Sequence, residues 1–299
     1  MESIIAKDYR LSKKLGSGAF GEVYMALNIK NHAEYAVKLE KSSTKSPQLF
    51  YEAKILGYLQ DDNATDTGFP RIYHCASEGE YNVMVMDLCG KSLEDLFNMS
   101  GKKFDLKTTL MVGYQMLERI EYIHKRQFIH RDVKPDNFVV GHGKKSSKVY
   151  MIDFGLAKKY LLKDNSHIPY KDNKNLTGTA RFASLNTHLG IEQGRRDDLE
   201  GIANVLLYFI KGAVPWQNLK ANNKKEKYEK IMEKKLSISI ERLCDNLPDV
   251  FKQLFIYSRT LDFEETPDYQ YLKDLFKTCM KQNDIEMNYD YCWNNWASR

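Results

Sequence analysis

Two short stretches of the chain hold the residues whose types and spacing could do chemistry. They are His130-Arg131-Asp132-Val133-Lys134-Pro135-Asp136-Asn137 and, after a short strand pair, Asp153-Phe154-Gly155. Asp132 is a carboxylate that could take a proton from a hydroxyl, and Lys134 stands two residues after it. Asn137 and Asp153 carry oxygen atoms and could share metal ions. The spacing therefore predicts a site that combines proton transfer with metal binding.

A glycine-rich segment, Gly16-Ser17-Gly18-Ala19-Phe20-Gly21, lies between two strand-like runs near the N-terminus. Alone, the G-x-G-x-x-G pattern is a weak signal, because a glycine-rich hairpin turn gives the same letters. A dinucleotide-binding fingerprint would follow a buried strand and open a helix. Here strand-like runs flank the glycines on both sides. The context favours a flexible hairpin that closes over phosphates with its backbone amides.

A lysine on the next predicted strand is the candidate phosphate-binding residue. Glu34–Glu40 alternates as a strand does, with Lys38 on the face opposite Val37. A lone strand lysine is more often solvated. However, Ser46-Pro47 predicts the start of a helix, with Ser46 as N-cap, that carries Glu52 in its second turn. A strand lysine paired to a helical glutamate is the arrangement that orients a nucleotide's phosphates.

Tyr81–Gly90 reads as a strand that ends in an extended connector, and we place a lobe boundary after Leu88. Met86 would face the adenine pocket, and the backbone of Asp87 to Cys89 would meet the adenine edge. The predicted nucleotide-binding residues are Leu15, Gly16, Ser17, Gly18, Ala19, Phe20, Gly21, Glu22, Val23, Ala36, Lys38, Glu52, Met86, Asp87, Leu88 and Cys89.

Helices dominate the rest of the predicted secondary structure. Apolar residues at helical spacing predict an amphipathic helix over 107–124, just before the His130 motif. The runs 138–140 and 149–152 flank a glycine-containing loop and predict a hairpin. Asp197-Asp198 precede a stretch that is apolar on most sides, which indicates a capped and buried central helix.

Composition bounds the class of protein. At 42% hydrophobic and 28% charged residues the chain is typical of a soluble globular protein. Its longest apolar run, 205–210, is far below the roughly 20 residues that span a bilayer, so no membrane span is expected. The start lacks the pattern of a secretory signal, and the scattered, odd set of five cysteines predicts reduced thiols. We expect a monomer in the cytoplasm, with the nucleus as a second compartment.

Charge is mild overall, but it is locally concentrated. The net charge is +5, with lysine and arginine clustered in 171–181 and 220–235. Such clusters indicate a local anion site more than a nucleic-acid surface. We therefore expect no nucleic-acid partner.

Taken together, these motifs resemble the eukaryotic protein-kinase family from Tyr9 to Trp296. Within that family the chain resembles casein kinase I most closely, on the segments Lys91–Phe97, Asp153–Tyr160, Asn175–Arg181 and Thr187–Glu192. Most kinases close the activation segment with Ala-Pro-Glu. Ser184-Leu185-Asn186 stands there instead, and it is similar to the casein kinase I variant. Lys91 and Asn218 depart from the family's usual Pro and Gly, which puts loop geometry in question but not catalysis.

The resemblance implies an α+β fold with a single kinase domain over 1–299. A small β-rich N-lobe with one main helix (9–88) would precede a larger, mainly α-helical C-lobe (89–299). It also implies transfer of the ATP γ-phosphoryl group to Ser or Thr. Asp132 would orient the hydroxyl and accept its proton, Lys134 would neutralise phosphoryl charge, and Asn137 with Asp153 would hold Mg²⁺. Because tyrosine-specific kinases usually lack the lysine at position 134, we expect Ser/Thr specificity.

The resemblance also bears on substrates and regulation. We expect a preference for protein substrates with a phosphate or acidic cluster a few residues N-terminal to the acceptor. The predicted anion-binding residues are Lys171, Lys174, Arg181, Lys224 and Lys227. We expect activity without prior phosphorylation of the activation segment, and no autoinhibition by a long C-terminal tail.

Two alternatives bear on this interpretation. A pseudokinase scaffold predicts loss of at least one of Lys38, Asp132, Asn137 and Asp153, and all four are present. A relative of the tau-tubulin or vaccinia-related kinases would keep the same motifs, and this alternative stays open.

Overall fold

The structure, a computed structural model, describes residues 4–18, 21–60 and 66–295. These residues form two units. The first comprises the described residues up to Lys91 together with Val139–Gly155, and the second comprises Ser92–Phe138 together with the described residues from Leu156 onward. Residues 89–91 and 139–155 thus group with the first unit, whereas the sequence placed them after the lobe boundary. The domain assignment itself stays a prediction.

Two sheets build most of the first unit. The larger has six antiparallel strands in the order β1-β2-β3-β4-β6-β5, with β1 Ile4–Ile5, β2 Tyr9–Gly18, β3 Gly21–Asn28, β4 Glu34–Lys41, β5 Ile72–Glu78 and β6 Tyr81–Asp87. The smaller has the order β10-β9-β7, with β7 Cys89–Ser92, β9 Phe138–Gly141 and β10 Val149–Met151. The pairing of β9 with β7 explains why 139–155 belong to the first unit.

Apolar residues at every second position bury one face of the larger sheet, as period-2 alternation requires. Ala26, Val37, Leu39, Val83 and Val85 form that core. β2 and β3 pair up to their ends, where Gly18 lies opposite Gly21. The predicted glycine-containing hairpin is therefore confirmed, as is the predicted hairpin of β9 and β10.

The helix of the first unit, α1 (Leu49–Leu59), begins later than the sequence predicted, so the N-cap assigned to Ser46 is wrong. The first N–H groups of a helix need acceptors. Here Glu40 of β4 supplies one oxygen, Oε1, for the N–H groups of Gln48 (2.7 Å) and Leu49 (3.2 Å). A carboxylate from a neighbouring strand thus caps the helix, and Glu52 falls in its first turn.

The second unit is mainly helical. Its helices are α2 Leu93–Met99, α3 Leu106–Lys125, α4 Leu185–His188, α5 Arg195–Lys211, α6 Lys224–Leu236, α7 Ile240–Leu243, α8 Asp249–Thr260 and α9 Tyr269–Gln282. A short two-stranded sheet pairs β8 (Phe128–Ile129) with β11 (Lys158–Lys159). α5 packs against α3 and α8, and α3 packs against α9.

The central helix of this unit is α5, as its sequence predicted. Leu199, Ile202, Leu206 and Phe209 are fully buried, because a helix that is apolar on most sides must be covered on most sides. α3 matches the predicted amphipathic helix, and its N-cap Asp105 accepts a hydrogen bond from the N–H of Thr108 (2.7 Å).

The predicted α+β class is confirmed: the first unit is β-rich with one main helix, and the second is largely helical. Among the described residues, no helix is both long enough and apolar enough to cross a membrane.

Candidate active site

A buried carboxylate at the start of α5 shapes the loop that carries Asp132. Asp198 accepts hydrogen bonds from the backbone N–H groups of His130 (2.8 Å) and Arg131 (2.9 Å), and its Oδ2 also lies 2.8 Å from His124 Nε2. Burial opposes ionisation of Asp198, but these contacts outweigh burial and hold its pKa below the ordinary value. The loop is therefore fixed by an anion that stays charged.

Asp132 is buried, with three groups on its carboxylate. Oδ1 accepts a hydrogen bond from Thr179 Oγ1 (2.7 Å), and Oδ2 pairs with Lys134 Nζ (2.7 Å). Asn137 Nδ2 donates to the backbone oxygen of Asp132 at 2.9 Å and approaches Oδ2 at 3.4 Å. The second unit thus brings the three predicted catalytic residues, Asp132, Lys134 and Asn137, together. A hydroxyl and an ammonium already share one carboxylate there.

The 130–137 motif and the 153–155 motif each contain a residue with strained backbone. Arg131 and Asp153 have φ angles of +68° and +62°, in the left-handed region that residues other than glycine adopt at a cost of about 1–3 kcal/mol. At Gly178, with φ of +93°, a Cβ atom would lie 2.4 Å from the Arg131 carbonyl oxygen. Only glycine fits there, so the activation segment lies directly against the Asp132 loop.

In the first unit, Lys38 and Glu52 form the predicted pair. Lys38 Nζ lies 2.5 Å from Glu52 Oε2, and both residues are buried. Burial is the largest effect and disfavours the charged lysine, but the hydrogen bond to Glu52 and the attraction of Glu52, Asp153 and Glu40 together outweigh it and raise the pKa of Lys38. A permanent cation, held by a carboxylate from α1, is suited to contact phosphate oxygens.

The glycines of the hairpin differ in whether a side chain would fit at their position. A Cβ at Gly21, where φ is +126°, would lie 2.1 Å from the Leu39 carbonyl oxygen, so this glycine is needed for packing on β4. Gly16 and Gly18 have open space where a Cβ would be, which leaves room for another molecule's close approach.

The remaining hairpin residues of the prediction lie along the two strand ends. Leu15, Ser17, Glu22 and Val23 belong to β2 and β3, and Glu22 is tied to Lys14 (2.5 Å) and to the hydroxyl of Tyr24 (2.8 Å). Ala19 and Phe20 lie outside the described residues.

The connector residues lie at the end of β6. Met86 stands opposite Ala36 in the β4–β6 register. The N–H of Asp87 donates to the Arg71 carbonyl (2.9 Å) and is thus already used within the first unit. Leu88 and Cys89 follow at the start of β7.

The predicted metal ligands belong to different units, Asp153 to the first and Asn137 to the second. Their joint role stays a prediction. Because the amide nitrogen of Asn137 is engaged with Asp132, its oxygen is the donor that remains. A carboxylate and an amide oxygen form the hard donor set that suits Mg²⁺ with phosphate and water as further ligands. Among the described residues, no cluster of three or more His, Cys, Asp or Glu side chains is arranged to hold a metal by itself.

The activation segment ends on a cap in place of an Ala-Pro-Glu motif. Ser184 Oγ accepts the N–H of Thr187 (3.1 Å) as N-cap of α4 and donates to Asp197 Oδ1 on α5 (2.5 Å). Asp197 is fully buried, which raises its pKa to about 6. The hydroxyl of Ser184 thereby fastens the segment to the central helix.

All five predicted anion-binding residues lie in the second unit, in different surroundings. Lys174 is already 3.5 Å from Glu192, which also pairs with Lys158 (3.1 Å). Lys224 lies over the ring of Tyr228 and shares a groove with Asn175 and Leu176 of the activation segment. Lys171 and Lys227 are exposed. The half-buried Arg181 lies over the rings of Phe182 (5.6 Å) and Tyr208 (5.7 Å).

Sequence reasoning assigned no role to several residues that shape this site. Thr179 is in a quoted motif, and Asp198 heads a predicted helix, so both carried a signal. Glu40 and Glu192 also lie in segments that the sequence analysis quoted, but no pattern pointed to their partners, Gln48 and Lys158.

Comparison with known families completes the description. A family model described as a protein kinase domain matches residues 9–286. The match includes the glycine hairpin, the Lys38 pair, the Asp132 loop and Asp153. A protein kinase takes its phosphoryl group from ATP with a divalent metal ion and acts on protein substrates. Because the match spans nearly the whole chain, the chain belongs to the protein kinase family.

Proposed function

We propose that this protein is a serine/threonine kinase similar to casein kinase I, which uses ATP and Mg²⁺ to phosphorylate acidic or phosphate-primed protein substrates. The observation that carries the proposal is the Asp132 carboxylate, which accepts the hydroxyl of Thr179 on one oxygen and pairs with Lys134 on the other.

The contacts of Asp132 support its role as the base. Its Oδ1 accepts a hydroxyl hydrogen bond at 2.7 Å, within the distance that a general base needs. The acceptor hydroxyl of a substrate would be oriented by the same carboxylate and would give its proton to it. Lys134, 2.7 Å from the other oxygen, stands where it can neutralise charge on the transferred group.

ATP supplies the γ-phosphoryl group, and the metal ion neutralises its charge when both are bound. Lys38, kept protonated beside Glu52, would contact the phosphates, and Asn137 and Asp153 would offer oxygen atoms to Mg²⁺. The chain's contribution is mostly positioning and electrostatics, because phosphoryl transfer passes through a loose transition state.

The presence of Lys134 supports specificity for Ser/Thr acceptors, and its ammonium pairs with the Asp132 carboxylate. A serine or threonine side chain is short, so its hydroxyl must approach Asp132 closely. Thr179 shows that an aliphatic hydroxyl fits against this carboxylate. This contact favours Ser/Thr over Tyr.

Arg181 supports the preference for primed substrates. Its guanidinium is held over two aromatic rings and can fork onto a phosphate with two parallel hydrogen bonds. A phosphoserine carries about −1.5 to −2 charges, against −1 for glutamate, so a primed peptide should bind better than its acidic mimic. Lys227 and Lys224 on α6 would add positive charge. Lys174 contributes less, because Glu192 already neutralises part of its charge.

The test compares a peptide that carries phosphoserine a few residues before its acceptor serine with an unprimed peptide and a tyrosine peptide. We expect the order primed serine, unprimed serine, tyrosine in kcat/KM. Arg181→Ala with Lys227→Ala should lose more on the primed peptide, by about 10-fold or more for one lost charge-assisted contact. Lys230→Ala, on the same helix, is the matched control.

Three results would contradict the proposal. Equal losses on both serine peptides would show that Arg181 and Lys227 do not read the phosphate. Phosphorylation of tyrosine alone would refute Ser/Thr specificity, and no turnover of any substrate would favour a pseudokinase. A wider peptide profile would separate casein kinase I from the tau-tubulin and vaccinia-related kinases.

A further inference from the structure

Four consecutive carbonyl groups of the activation segment accept hydrogen bonds from side chains. They are the carbonyl groups of residues 180–183, which include Arg181. Four donors from other parts of the second unit contact them, and we call these donors the carbonyl cradle: His188, Asn204, Trp216 and Lys235.

Each donor covers a different part of the segment. His188 Nε2 reaches the Ala180 oxygen (2.9 Å), and Trp216 Nε1 donates to the Arg181 oxygen (2.7 Å). Asn204 Nδ2 donates to the oxygen of residue 182 (3.0 Å) and approaches that of residue 183 (3.4 Å). Backbone carbonyls in a loop are normally left to water, so four in a row on side-chain donors indicates a loop held in one conformation.

Of the four donors, Lys235 is the one whose burial costs the most free energy, because its charged group loses its hydration. It is only 2% exposed, and its Nζ donates to the oxygens of Ala183 (2.5 Å) and Ala180 (3.3 Å). The ammonium also lies over the ring of Trp216, 4.9 Å from its centroid. Within the described ranges no carboxylate lies at ion-pair distance from Lys235. A buried amine without a carboxylate partner is rare, because desolvation penalises its charge.

The charged and titratable groups around Lys235 come from three helices. Glu200 of α5 attracts it, while Arg259 of α8 repels it. Burial is the largest effect and lowers the pKa of Lys235 to about 7. On α4, burial and the nearby Lys235 lower the pKa of His188 to about 4, so the imidazole is neutral and its N–H donates to Ala180. The two carbonyls that Lys235 holds are its direct hydrogen-bond acceptors, and with the Trp216 ring and the attraction of Glu200 they offset part of the cost of burying the amine.

Arg181 lies at the centre of the held segment. Its carbonyl is fixed by Trp216, the carbonyls of Ala180 and Ala183 on either side are fixed by Lys235, and its guanidinium rests on two aromatic rings. A binding group held in advance loses less entropy when its ligand arrives.

We propose that Lys235 is a positioning residue for the protein substrate, which acts by holding the backbone around Arg181 in the conformation that receives the peptide. The inference rests on the proposed function, since it concerns the same substrate site. Lys235 itself does not contact the substrate. Its loss is expected to weaken substrate binding and recognition of a priming phosphate, and to leave ATP binding unchanged.

The experiment measures steady-state kinetics of Lys235→Met on primed and unprimed serine peptides and on ATP. Methionine keeps the length and the apolar stem but removes the donor. We expect the KM for the primed peptide to rise by about 10- to 100-fold, as for the loss of one charge-assisted hydrogen bond, with the KM for ATP unchanged. The ratio of kcat/KM between the two peptides should fall. Lys234→Met, at the exposed neighbouring position, should behave as wild type.

A merely structural role would lower the melting temperature and the active fraction but leave both KM values and the peptide ratio unchanged. That result overturns the inference, and so do equal rises in the two KM values when the wild-type enzyme prefers the primed peptide. If Lys235→Met does not fold, Trp216→Phe keeps an aromatic ring beside Lys235 and removes the indole N–H that donates to Arg181. Its peptide KM should rise by about 5-fold for one neutral hydrogen bond, and an unchanged KM would reject the cradle.

The failure of the proposed function gives a different result. A wild-type enzyme that phosphorylates primed and unprimed peptides equally well would contradict the proposed substrate preference. Lys235 would then be tested by whether Lys235→Met raises the KM for the unprimed peptide. A wild-type enzyme that discriminates, together with a Lys235→Met variant that discriminates equally well, would contradict the inference alone.

Discussion

Replacing Asp132 with asparagine tests the centre of the site. The amide matches the carboxylate in size and can still accept the Thr179 hydroxyl, now 2.7 Å from Oδ1, so the fold should survive. The charge that pairs with Lys134 disappears. Since the Lys134 side chain is 23% exposed and keeps part of its hydration, the free energy of unfolding should fall by only about 1–2 kcal/mol. The proton acceptor is lost entirely, and kcat should fall by about 10²–10⁴-fold.

The assay is kcat on a serine peptide at saturating ATP, with nucleotide affinity measured separately by direct binding. We expect ATP affinity to be nearly that of the wild type. Asp136→Asn is the matched control, because Asp136 lies in the same loop but is exposed, and it should keep its activity. If the Asp132→Asn enzyme turned over at the wild-type rate, Asp132 could not be the base.

The other predictions concern the nucleotide, regulation and pH. Lys38→Met should raise the KM for ATP by about 10-fold or more by removing the charge beside Glu52, while Lys41→Met, exposed on the same strand, should not. Phosphatase-treated protein should be active at once, because Ser184 and Lys235 already hold the activation segment, and activity that appears only after an upstream kinase is added would refute this. The pKa of His188 is about 4, below its ordinary 6.5, so the unfolded chain binds a proton first and stability should fall as pH drops from about 6.5 to 4. Unfolding midpoints of wild type and His188→Gln should differ in slope only in that window, and parallel curves would contradict the assignment.

The residues closest to the chemistry could be predicted because they are close in sequence. Asp132, Lys134 and Asn137 share one loop, so the motif alone puts them within reach of one another. The pairing of Lys38 with Glu52 was also predicted from a strand followed by a helix, although Glu52 lies in the first turn of that helix and not in the second. The apolar periodicity of α3 and α5 predicted two of the helices on which the loop rests.

Contacts between distant segments were not predictable from local pattern. The start of α1 was placed too early because Ser46 looks like a local N-cap, while the acceptor actually used is Oε1 of Glu40 on the strand before the helix. Lys235 was one lysine in a basic run on α6, and nothing in its neighbours distinguished it from the exposed Lys234. Burial and the identity of its carbonyl partners appear only when α6 packs against the activation segment.

The Asp198 carboxylate has a consequence for the order of folding. The catalytic loop has strained backbone at Arg131, and its N–H groups at 130 and 131 are held by a residue 67–68 positions further along the chain. The loop therefore has no reason to adopt its working shape until α5 has formed and docked. A nascent chain released before α5 is made would contain the whole 130–137 motif and still lack the carboxylate that holds the backbone N–H groups of that loop.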